Sequence, residues 1–192
     1  AIVDKINKLE TSNNFSSIPF FNNLKELFET DFKIDVAVIA TPNSIHSSNA
    51  LKCLENNCHI VVEKPMTLTK IEAEKIISKS IQVKKSVFVV MQNRFSPPLS
   101  WIKKIIDKKI LGNVYIVQLS CFWNRDDRYY KNHPWHGNKD LDGGTLFTQF
   151  SHYIDLLYWL FGDINNIVSK LKNFNHKDNI QFEDSGFIFF DF

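Results

Sequence analysis

The sequence predicts an α/β fold in which an incomplete parallel sheet is followed by part of an α+β domain with a large, mostly antiparallel sheet. Three apolar, β-favouring runs in the first half, at 36–40, 59–62 and 87–91, alternate with helix-length segments. Uniformly apolar runs of this length fit strands buried on both faces, as in a parallel sheet covered by crossover helices. The runs at 114–123 and 179–192 are alternating or broadly apolar and fit strands of a second sheet.

Helix signals fill the intervals between these runs. Most of the intervals begin with a side chain that can accept a hydrogen bond from the first turn of a helix. The predicted helices are 24–30 after Asn22 or Asn23, 45–57 after Ser44, one that opens at Thr67 and ends near Ile81, 98–110, and 145–161.

A boundary between two domains is expected near residues 92–98, where the alternation of strands and helices ends. We therefore expect a first domain over 1–95 and a second over 96–192. The first strand candidate, 1–4, begins at the first residue, and the last candidate ends at the final residue. This arrangement predicts a piece of a longer protein.

Composition argues against several classes of protein. The chain of 192 residues is 44% hydrophobic and carries 23 Lys+Arg against 21 Asp+Glu. This hydrophobic content is enough for a buried core, and the near balance of charge argues against nucleic-acid partners and polybasic membrane contacts. No run reaches the roughly 18 uninterrupted apolar residues of a membrane span. We expect a soluble protein with no nucleic-acid or membrane partner.

The cysteines indicate a reducing compartment. Cys53, Cys58 and Cys121 form an odd set without a CxxC pair, so a disulfide framework is not expected and the cytoplasm fits. Cys53 and Cys58, which precede His59, are interpreted as small apolar residues rather than as metal ligands.

Glycine is absent before Gly112. The first half therefore contains no Gly-rich loop of the kind that cradles a nucleotide phosphate. If the chain takes part in nucleotide chemistry, other residues must carry it.

Polar residues follow two neighbouring strand candidates at the point where each strand ends. Ligands of open α/β sheets bind at this carboxyl edge. The residues are Glu63, Lys64 and Pro65 after the run at 59–62, and Thr41, Pro42, Asn43 and His46 after the run at 36–40. Lys64 could donate a hydrogen bond to a substrate oxygen that is becoming a carbonyl. For the Glu-Lys pair alone, an ordinary turn with a surface ion pair is the alternative.

Asp4 ends the first strand candidate. In sheets that bind dinucleotides, an acidic residue at the end of the second strand binds the ribose hydroxyls of NAD and repels the 2′-phosphate of NADP. Asp4 is a candidate for this role, and an ordinary surface aspartate is the alternative.

The predicted helix at 145–161 carries a polar strip. Spacings of four, three and four put these side chains on one face: Thr148, His152, Asp155 and Trp159. Polar groups in an otherwise apolar helix must find partners or take part in chemistry. His152 is the natural general base, with a buried structural histidine as the alternative. The Gly-Gly pair at 143–144 would let the backbone approach a ligand closely.

The loop at 124–136 combines aromatic side chains with charges of both signs. It could grip a polar, phosphorylated or sugar ligand through arginine and stacking, or it could satisfy its own charges at the surface. Zinc bound by His133, His136 and His152 is conceivable, but without HExxH spacing or cysteine pairs we expect no metal.

In chain order, these motifs resemble the glucose-fructose oxidoreductase, inositol dehydrogenase and MocA family. The motifs are Ala40-Thr41-Pro42-Asn43 with His46, Val61-Val62-Glu63-Lys64-Pro65-Met66, Gln92-Asn93-Arg94, and Gly143-Gly144 with His152 and Asp155. The resemblance covers nearly the whole chain. It implies an NAD(P)-dependent dehydrogenase that oxidises a secondary hydroxyl of a sugar or cyclitol, and a Rossmann-type first domain that here lacks its first strand and Gly-rich loop.

The resemblance also implies roles for individual residues. The cofactor would be NAD rather than NADP because of Asp4, and its binding residues would be Asp4, Thr41, Pro42, Asn43, His46, Glu63, Lys64 and Gln92. The two catalytic residues would be Lys64, between nicotinamide and substrate with its bond to Pro65 cis as in relatives, and His152, which takes the hydroxyl proton. The substrate would contact Lys64, Arg94, Asn124, Trp135, Thr148, Gln149 and His152.

One position departs from the family pattern. Inositol dehydrogenase-like members carry an aspartate four residues before the catalytic histidine, where this chain has Thr148. Threonine is not a charged partner, so either Lys64 carries more of the proton transfer or His152 is oriented differently.

Three stretches, 121–125, 135–137 and 146–152, look more like members found in surface-polysaccharide biosynthesis, which act on nucleotide-linked amino sugars at the 3-position. The preferred substrate is therefore a nucleotide-activated hexosamine or its uronate. A free sugar or cyclitol is the alternative, and a non-catalytic binding homologue is a third possibility if the protein truly has no Gly-rich loop. Relatives pair through the large sheet of the second domain, so a homo-oligomer is expected for the full-length protein.

Overall fold

The structure, a computed structural model, describes residues 1–5 and 17–192. Its strands lie in three separate sheets, and its helices flank them. In chain order the elements are β1 (Ile2–Val3), β2 (Phe20–Phe21), α1 (Leu24–Phe28), β3 (Val36–Ile39), α2 (His46–Glu55), β4 (His59–Val62), α3 (Lys70–Val83), β5 (Val87–Val89), α4 (Pro97–Asp107), α5 (Asp127–Lys131), α6 (Lys139–Asp142), α7 (Thr145–Thr148), α8 (Ser151–Phe161), β6 (Asn165–Lys172) and β7 (Ser185–Asp191).

The predicted parallel sheet is present. Strands β3, β4 and β5 pair in that order and run parallel, with Val36 opposite His59 and Ile60 opposite Val87. Parallel strands need crossover connections, which α2 and α3 supply. Strands β1 and β2 form a separate parallel pair, with Ile2 opposite Phe20. The α/β architecture predicted from the apolar runs is confirmed.

The hydrophobic core lies on one face of this sheet. Ile60 and Val62 of β4 are fully buried against Leu54 of α2 and Ile76 of α3. Each such side chain contributes about 1.5–3 kcal/mol when it is fully buried. The opposite face is open in the described chain, where Val38 is 71% exposed. The prediction that the runs are buried on both faces is therefore wrong for the described residues, none of which covers that face.

The helix starts partly match the predicted caps. Helix α1 follows Asn23, whose side chain accepts a hydrogen bond from the first turn as predicted. Ser44 does not cap α2 but lies inside a 3₁₀ turn, Asn43–Ile45, that leads into the helix. Thr69 rather than Thr67 caps α3, because the Thr67 hydroxyl instead donates to the Thr69 carbonyl at 2.8 Å.

The second half departs further from the predictions. Strands β6 and β7 form an antiparallel hairpin. The predicted strand at 179–192 is shorter, as β7. Strand β6 was not predicted, because its apolar residues do not alternate with the polar ones. Residues 114–123 form no strand, since no described strand pairs with them. The predicted helix at 145–161 is divided into α7 and α8 by a turn at residues 149–150. Within the described ranges no helix is long and apolar enough to cross a membrane.

Candidate active site

Lys64 connects the parallel sheet to helix α7. It follows β4 after one residue, and its peptide bond to Pro65 is cis. Its ammonium Nζ donates a hydrogen bond of 2.6 Å to the carbonyl oxygen of Thr148. The side chain thus extends from the carboxyl end of β4 to the segment that leads into the helix of His152.

The surroundings of Lys64 favour its neutral form more than water does. Burial lowers the pKa of Lys64, and the positive charge of Arg125 lowers it further, while Glu63 and Asp142 act in the opposite direction. A lowered pKa makes an ammonium group a better proton donor.

His152 lies in the first turn of α8 and is 7% exposed. Its Nδ1 atom is buried and has no hydrogen-bond partner among the residues that the structure describes. Burial lowers the pKa of His152 and the charge of Lys64 lowers it further, against smaller opposite effects of Asp155 and Glu63. A structural histidine uses its ring nitrogens in hydrogen bonds, so a ring that is not held through Nδ1 and whose pKa is lowered fits a proton acceptor better.

Thr148 contacts Lys64 and Arg125, and its hydroxyl donates to the Gly144 carbonyl at 3.1 Å. The hydroxyl is therefore bound to the backbone carbonyl that precedes α7 and does not hold the imidazole of His152. This agrees with the departure from the family pattern noted at position 148.

Arg94 forms a bidentate ion pair with Asp155. Its Nε donates to one carboxylate oxygen at 2.7 Å and its Nη2 donates to the other. Because Asp155 lies three residues after His152, the pair holds α8 against the 3₁₀ turn Gln92–Phe95 that follows β5. The guanidinium of Arg94, predicted as a substrate contact, is thus engaged in holding the helix of His152.

His46 lies beneath the edge of the sheet at 1% exposure. Its Nδ1 is 2.8 Å from the Pro65 carbonyl oxygen, and its Nε2 is 2.7 Å from the Thr41 carbonyl oxygen. The ring therefore bridges the turns that follow β3 and β4. Both nitrogens face backbone, so His46 positions these turns, including the one that carries Lys64.

The other residues predicted at the sheet edge lie around Lys64. Asn43 is buried, and its Nδ2 donates to the Asp142 carbonyl at 2.9 Å, which joins the turn after β3 to α6. Glu63 is half-buried and accepts a 3.3 Å hydrogen bond from the Lys64 backbone. Pro42 and Gln92 are exposed at the ends of β3 and β5.

Four further predicted residues have their recorded contacts with groups other than Lys64. Asp4 follows β1 and belongs to the separate β1–β2 sheet. Asn124 is exposed, and Trp135 packs edge-on against the ring of His136, 4.2 Å between ring centroids. Gln149 accepts a 3.3 Å hydrogen bond from the Nη2 atom of Arg125.

The sequence prediction missed two charged residues of the site. Arg125 reaches Thr148 and Gln149, and Asp142 is fully buried, with its Oδ2 accepting from the Gly137 backbone at 3.0 Å. Burial raises the pKa of Asp142, while the Gly137 N–H and the nearby cations lower it less strongly. The charged loop signalled an arginine, but the pattern alone did not favour Arg125 over its neighbours.

The Gly-Gly pair has a packing role in the structure. Gly143 has a φ of +87°, and a Cβ added there would collide with the Leu68 side chain. At Gly143 the backbone therefore lies close to a side chain of the same protein, Leu68.

The polar edge fits a nicotinamide cofactor. Three parallel strands end there in hydroxyl, amide, carboxylate and ammonium groups. Lys64 joins this edge to Thr148, four residues before His152, whose Nδ1 has no hydrogen-bond partner among the described residues. The residues that would hold the cofactor are Thr41, Asn43, Glu63, Lys64 and Gln92. No three His, Cys, Asp or Glu side chains of residues 1–5 and 17–192 are grouped to hold a metal ion.

Two family models match the chain. One, described as an oxidoreductase family with an NAD-binding Rossmann fold, matches residues 1–91, and one described as the GFO/IDH/MocA C-terminal domain matches residues 100–192. Among curated proteins, an uncharacterized oxidoreductase of Synechocystis is 28% identical over 153 residues, which are 79% of this chain and 40% of that protein.

Solved structures agree with this match. The WlbA dehydrogenase from Bordetella pertussis, in complex with NADH and UDP-GlcNAcA, has a TM-score of 0.85 and 30% identity, covering 90% of this chain and 49% of its own. The WlbA dehydrogenase from Chromobacterium violaceum, in complex with the same two molecules, has a TM-score of 0.83 and 30% identity. The match covers 89% of this chain and 49% of that protein. The chain thus spans about half the length of these relatives. The predicted resemblance is confirmed: the chain belongs to the Gfo/Idh/MocA family of oxidoreductases, with the NAD-binding Rossmann fold of that family in its first half.

Proposed function

We propose that the protein is an NAD-dependent dehydrogenase that oxidises a secondary hydroxyl of a nucleotide-activated hexosamine or its uronate. The observation that carries the proposal is the hydrogen bond from the Lys64 ammonium to the carbonyl of Thr148. Thr148 lies four residues before His152, whose Nδ1 has no hydrogen-bond partner among the described residues. The similarity to two WlbA dehydrogenases, whose structures hold NADH and UDP-GlcNAcA, supports this class of substrate.

The chemistry divides between these two side chains. Bound NAD would supply the hydride acceptor. His152 would take the proton of the substrate hydroxyl on its imidazole, because burial and the charge of Lys64 favour the neutral ring near pH 7. Lys64 would donate a hydrogen bond to the same substrate oxygen and stabilise the negative charge that develops as the proton leaves.

The remaining predicted residues are part of this proposal. Cofactor contacts are assigned to Asp4, Thr41, Pro42, Asn43, Glu63 and Gln92. Asn124, Trp135, Thr148 and Gln149 are assigned to the substrate. His46 and Arg94 act by positioning: His46 holds the turn of Lys64, and Arg94 holds the helix of His152. The three cysteines are free, in keeping with a cytoplasmic location.

The experiment is a substrate panel followed by NADH absorbance. The protein is incubated with NAD and, separately, UDP-GlcNAc, UDP-GlcNAcA, free N-acetylglucosamine and inositol. NADH formation from a UDP-sugar and not from the free compounds is the expected result. Turnover of the free sugar or inositol alone would support the alternative dehydrogenase. Binding of NADH without turnover of any compound would indicate a non-catalytic homologue.

A further inference from the structure

Arg125 directs its guanidinium toward the same residue that Lys64 contacts. Its Nη1 lies 3.4 Å from the Thr148 hydroxyl oxygen, and its Nη2 lies 3.3 Å from the Gln149 side-chain oxygen. These hydrogen bonds are long, and each uses one N–H donor, so further N–H donors of the five in the group remain. Thr148 therefore has Lys64 on its carbonyl and Arg125 on its hydroxyl.

Neighbouring groups hold Arg125 in this orientation. Its guanidinium carbon lies 4.1 Å from the centre of the Tyr129 ring, within the range of a cation–π contact. Its carbonyl oxygen faces the Nε2 of His176 at 2.7 Å, and the other ring nitrogen of His176 is 3.0 Å from Asp184. Arg125 is thus fixed at both its backbone and its side chain.

Among residues 1–5 and 17–192, Arg125 has no ion-pair partner. Of the three arginines, Arg94 pairs with Asp155 and Arg128 pairs with Asp126. Among the described residues, no carboxylate oxygen lies within 4.0 Å of Arg125 or of the Lys64 ammonium. The nearby carboxyl of Asp142 binds the Gly137 backbone through Oδ2, while its Oδ1 has no hydrogen-bond partner among the described residues. Burial raises the pKa of Asp142, which weakens it as a counter-charge for the two cations.

We infer that Arg125 binds an anionic oxygen group of the sugar substrate, the carboxylate of a uronate, and so selects the uronate over the neutral hexosamine. This inference rests on the proposed function. A planar guanidinium can donate two parallel N–H hydrogen bonds to the two oxygens of one carboxylate. Two cations that share Thr148 have one nearby buried carboxyl, Asp142, so a second negative group would balance the remaining charge when water is excluded from the site.

The test measures binding, so it does not depend on turnover. Dissociation constants of UDP-GlcNAcA and UDP-GlcNAc are measured by calorimetry in the presence of NADH. The two compounds share a diphosphate and differ in the carboxylate. Arg125→Met should weaken UDP-GlcNAcA binding by about 10- to 100-fold and leave UDP-GlcNAc within about twofold, since hydrogen bonds between charged groups are lost for one ligand only.

Two matched variants complete the experiment. Arg128→Met removes an exposed arginine from the same loop and should change neither constant. Arg125→Lys keeps the charge without the planar fork and should retain part of the preference for the uronate, which also covers the case that Arg125→Met unfolds.

The outcomes separate this inference from the proposed function. Equal weakening of both ligands by Arg125→Met would assign the residue to the diphosphate and overturn the inference, as would no weakening of either. Loss of UDP-GlcNAcA binding in Arg125→Met, with no NADH formed from any sugar by the unmodified protein, would uphold the carboxylate site and refute the dehydrogenase.

Discussion

The ion pair between Arg94 and Asp155 offers a quantitative test of how the helix of His152 is held. Asp155→Asn keeps the shape of the side chain and removes its charge. In the wild-type protein the Arg94 guanidinium donates to two carboxylate oxygens, and in the variant only the one uncharged amide oxygen can accept. We expect the variant to be less stable and His152 to be less well positioned.

The exposure of the two side chains sets the size of the effect. Asp155 is 13% exposed and Arg94 is 32% exposed. Exposed pairs contribute about 0.2–1 kcal/mol, whereas breaking a buried pair costs about 3–5 kcal/mol. Because Arg94 keeps some access to water, we expect a loss of about 2 kcal/mol in the free energy of unfolding, roughly a 30-fold change in the folding equilibrium.

Urea unfolding followed by tryptophan fluorescence measures this loss. The matched control is Asp107→Asn, which breaks the Lys103–Asp107 pair, where the aspartate is 55% exposed. The control should cost no more than about 0.5 kcal/mol. A double-mutant cycle with Arg94→Met should return a coupling energy of more than about 1 kcal/mol.

Equal destabilisation by Asp155→Asn and Asp107→Asn would contradict a structural role of the Arg94–Asp155 pair. A cycle with no coupling between Arg94 and Asp155 would contradict it as well, because the pair would then contribute nothing to stability.

Three further predictions test the packing and the electrostatics. Gly143→Ala should lower the free energy of unfolding in urea by about 2–4 kcal/mol, because a Cβ would meet Leu68. Gly112→Ala, at φ +67° and in open space, should lower it by about 1 kcal/mol, and equal losses would contradict the packing role of Gly143. Ile60→Ala should cost about 2–5 kcal/mol, and Val38→Ala, on the exposed face of the sheet, less than about 1 kcal/mol; the reverse order would place the core on the other face. The midpoint of the acid limb of the pH–rate profile should lie below pH 6.5, the ordinary pKa of histidine, because burial and the charge of Lys64 favour the neutral form of His152. A midpoint above pH 6.5 would contradict this environment.

The parallel sheet was predictable because its signal is local. Uniform runs of Val, Ile and Ala at β3 and β4 leave few alternatives to buried strands. The position of Lys64 followed directly, since a residue after a parallel strand lies at the carboxyl edge. Burial on both faces did not follow, because it depends on which other elements cover the sheet.

The second half was harder to predict because its structure depends on contacts distant in sequence. Strand β6 mixes polar and apolar residues, is exposed along its length and is defined by its pairing with β7. Residues 114–123 are apolar, but a strand also needs a neighbour to complete its hydrogen bonds. The division of the helix before His152 has no clear signal, since neither glycine nor proline occurs at 149–150.

The candidate site shows the same limit at the level of side chains. Residue type and spacing selected His152 and Lys64 as candidates, because their chemistry is distinctive. They did not show that both nitrogens of His46 face backbone carbonyls, or that Arg94 is paired with Asp155. Nor did they select Arg125 over Arg128, because the two differ only in their partners in the folded chain.

The most direct test of the central claim is the turnover number of Lys64→Ala with NAD and UDP-GlcNAcA, measured beside the dissociation constant of NADH. The control is Lys70→Ala, which removes a lysine that is 87% exposed. We predict that Lys64→Ala lowers kcat by about 10²- to 10⁴-fold while NADH affinity changes by no more than about threefold, and that Lys70→Ala changes neither. An unchanged kcat in Lys64→Ala would contradict the role of Lys64 in the reaction.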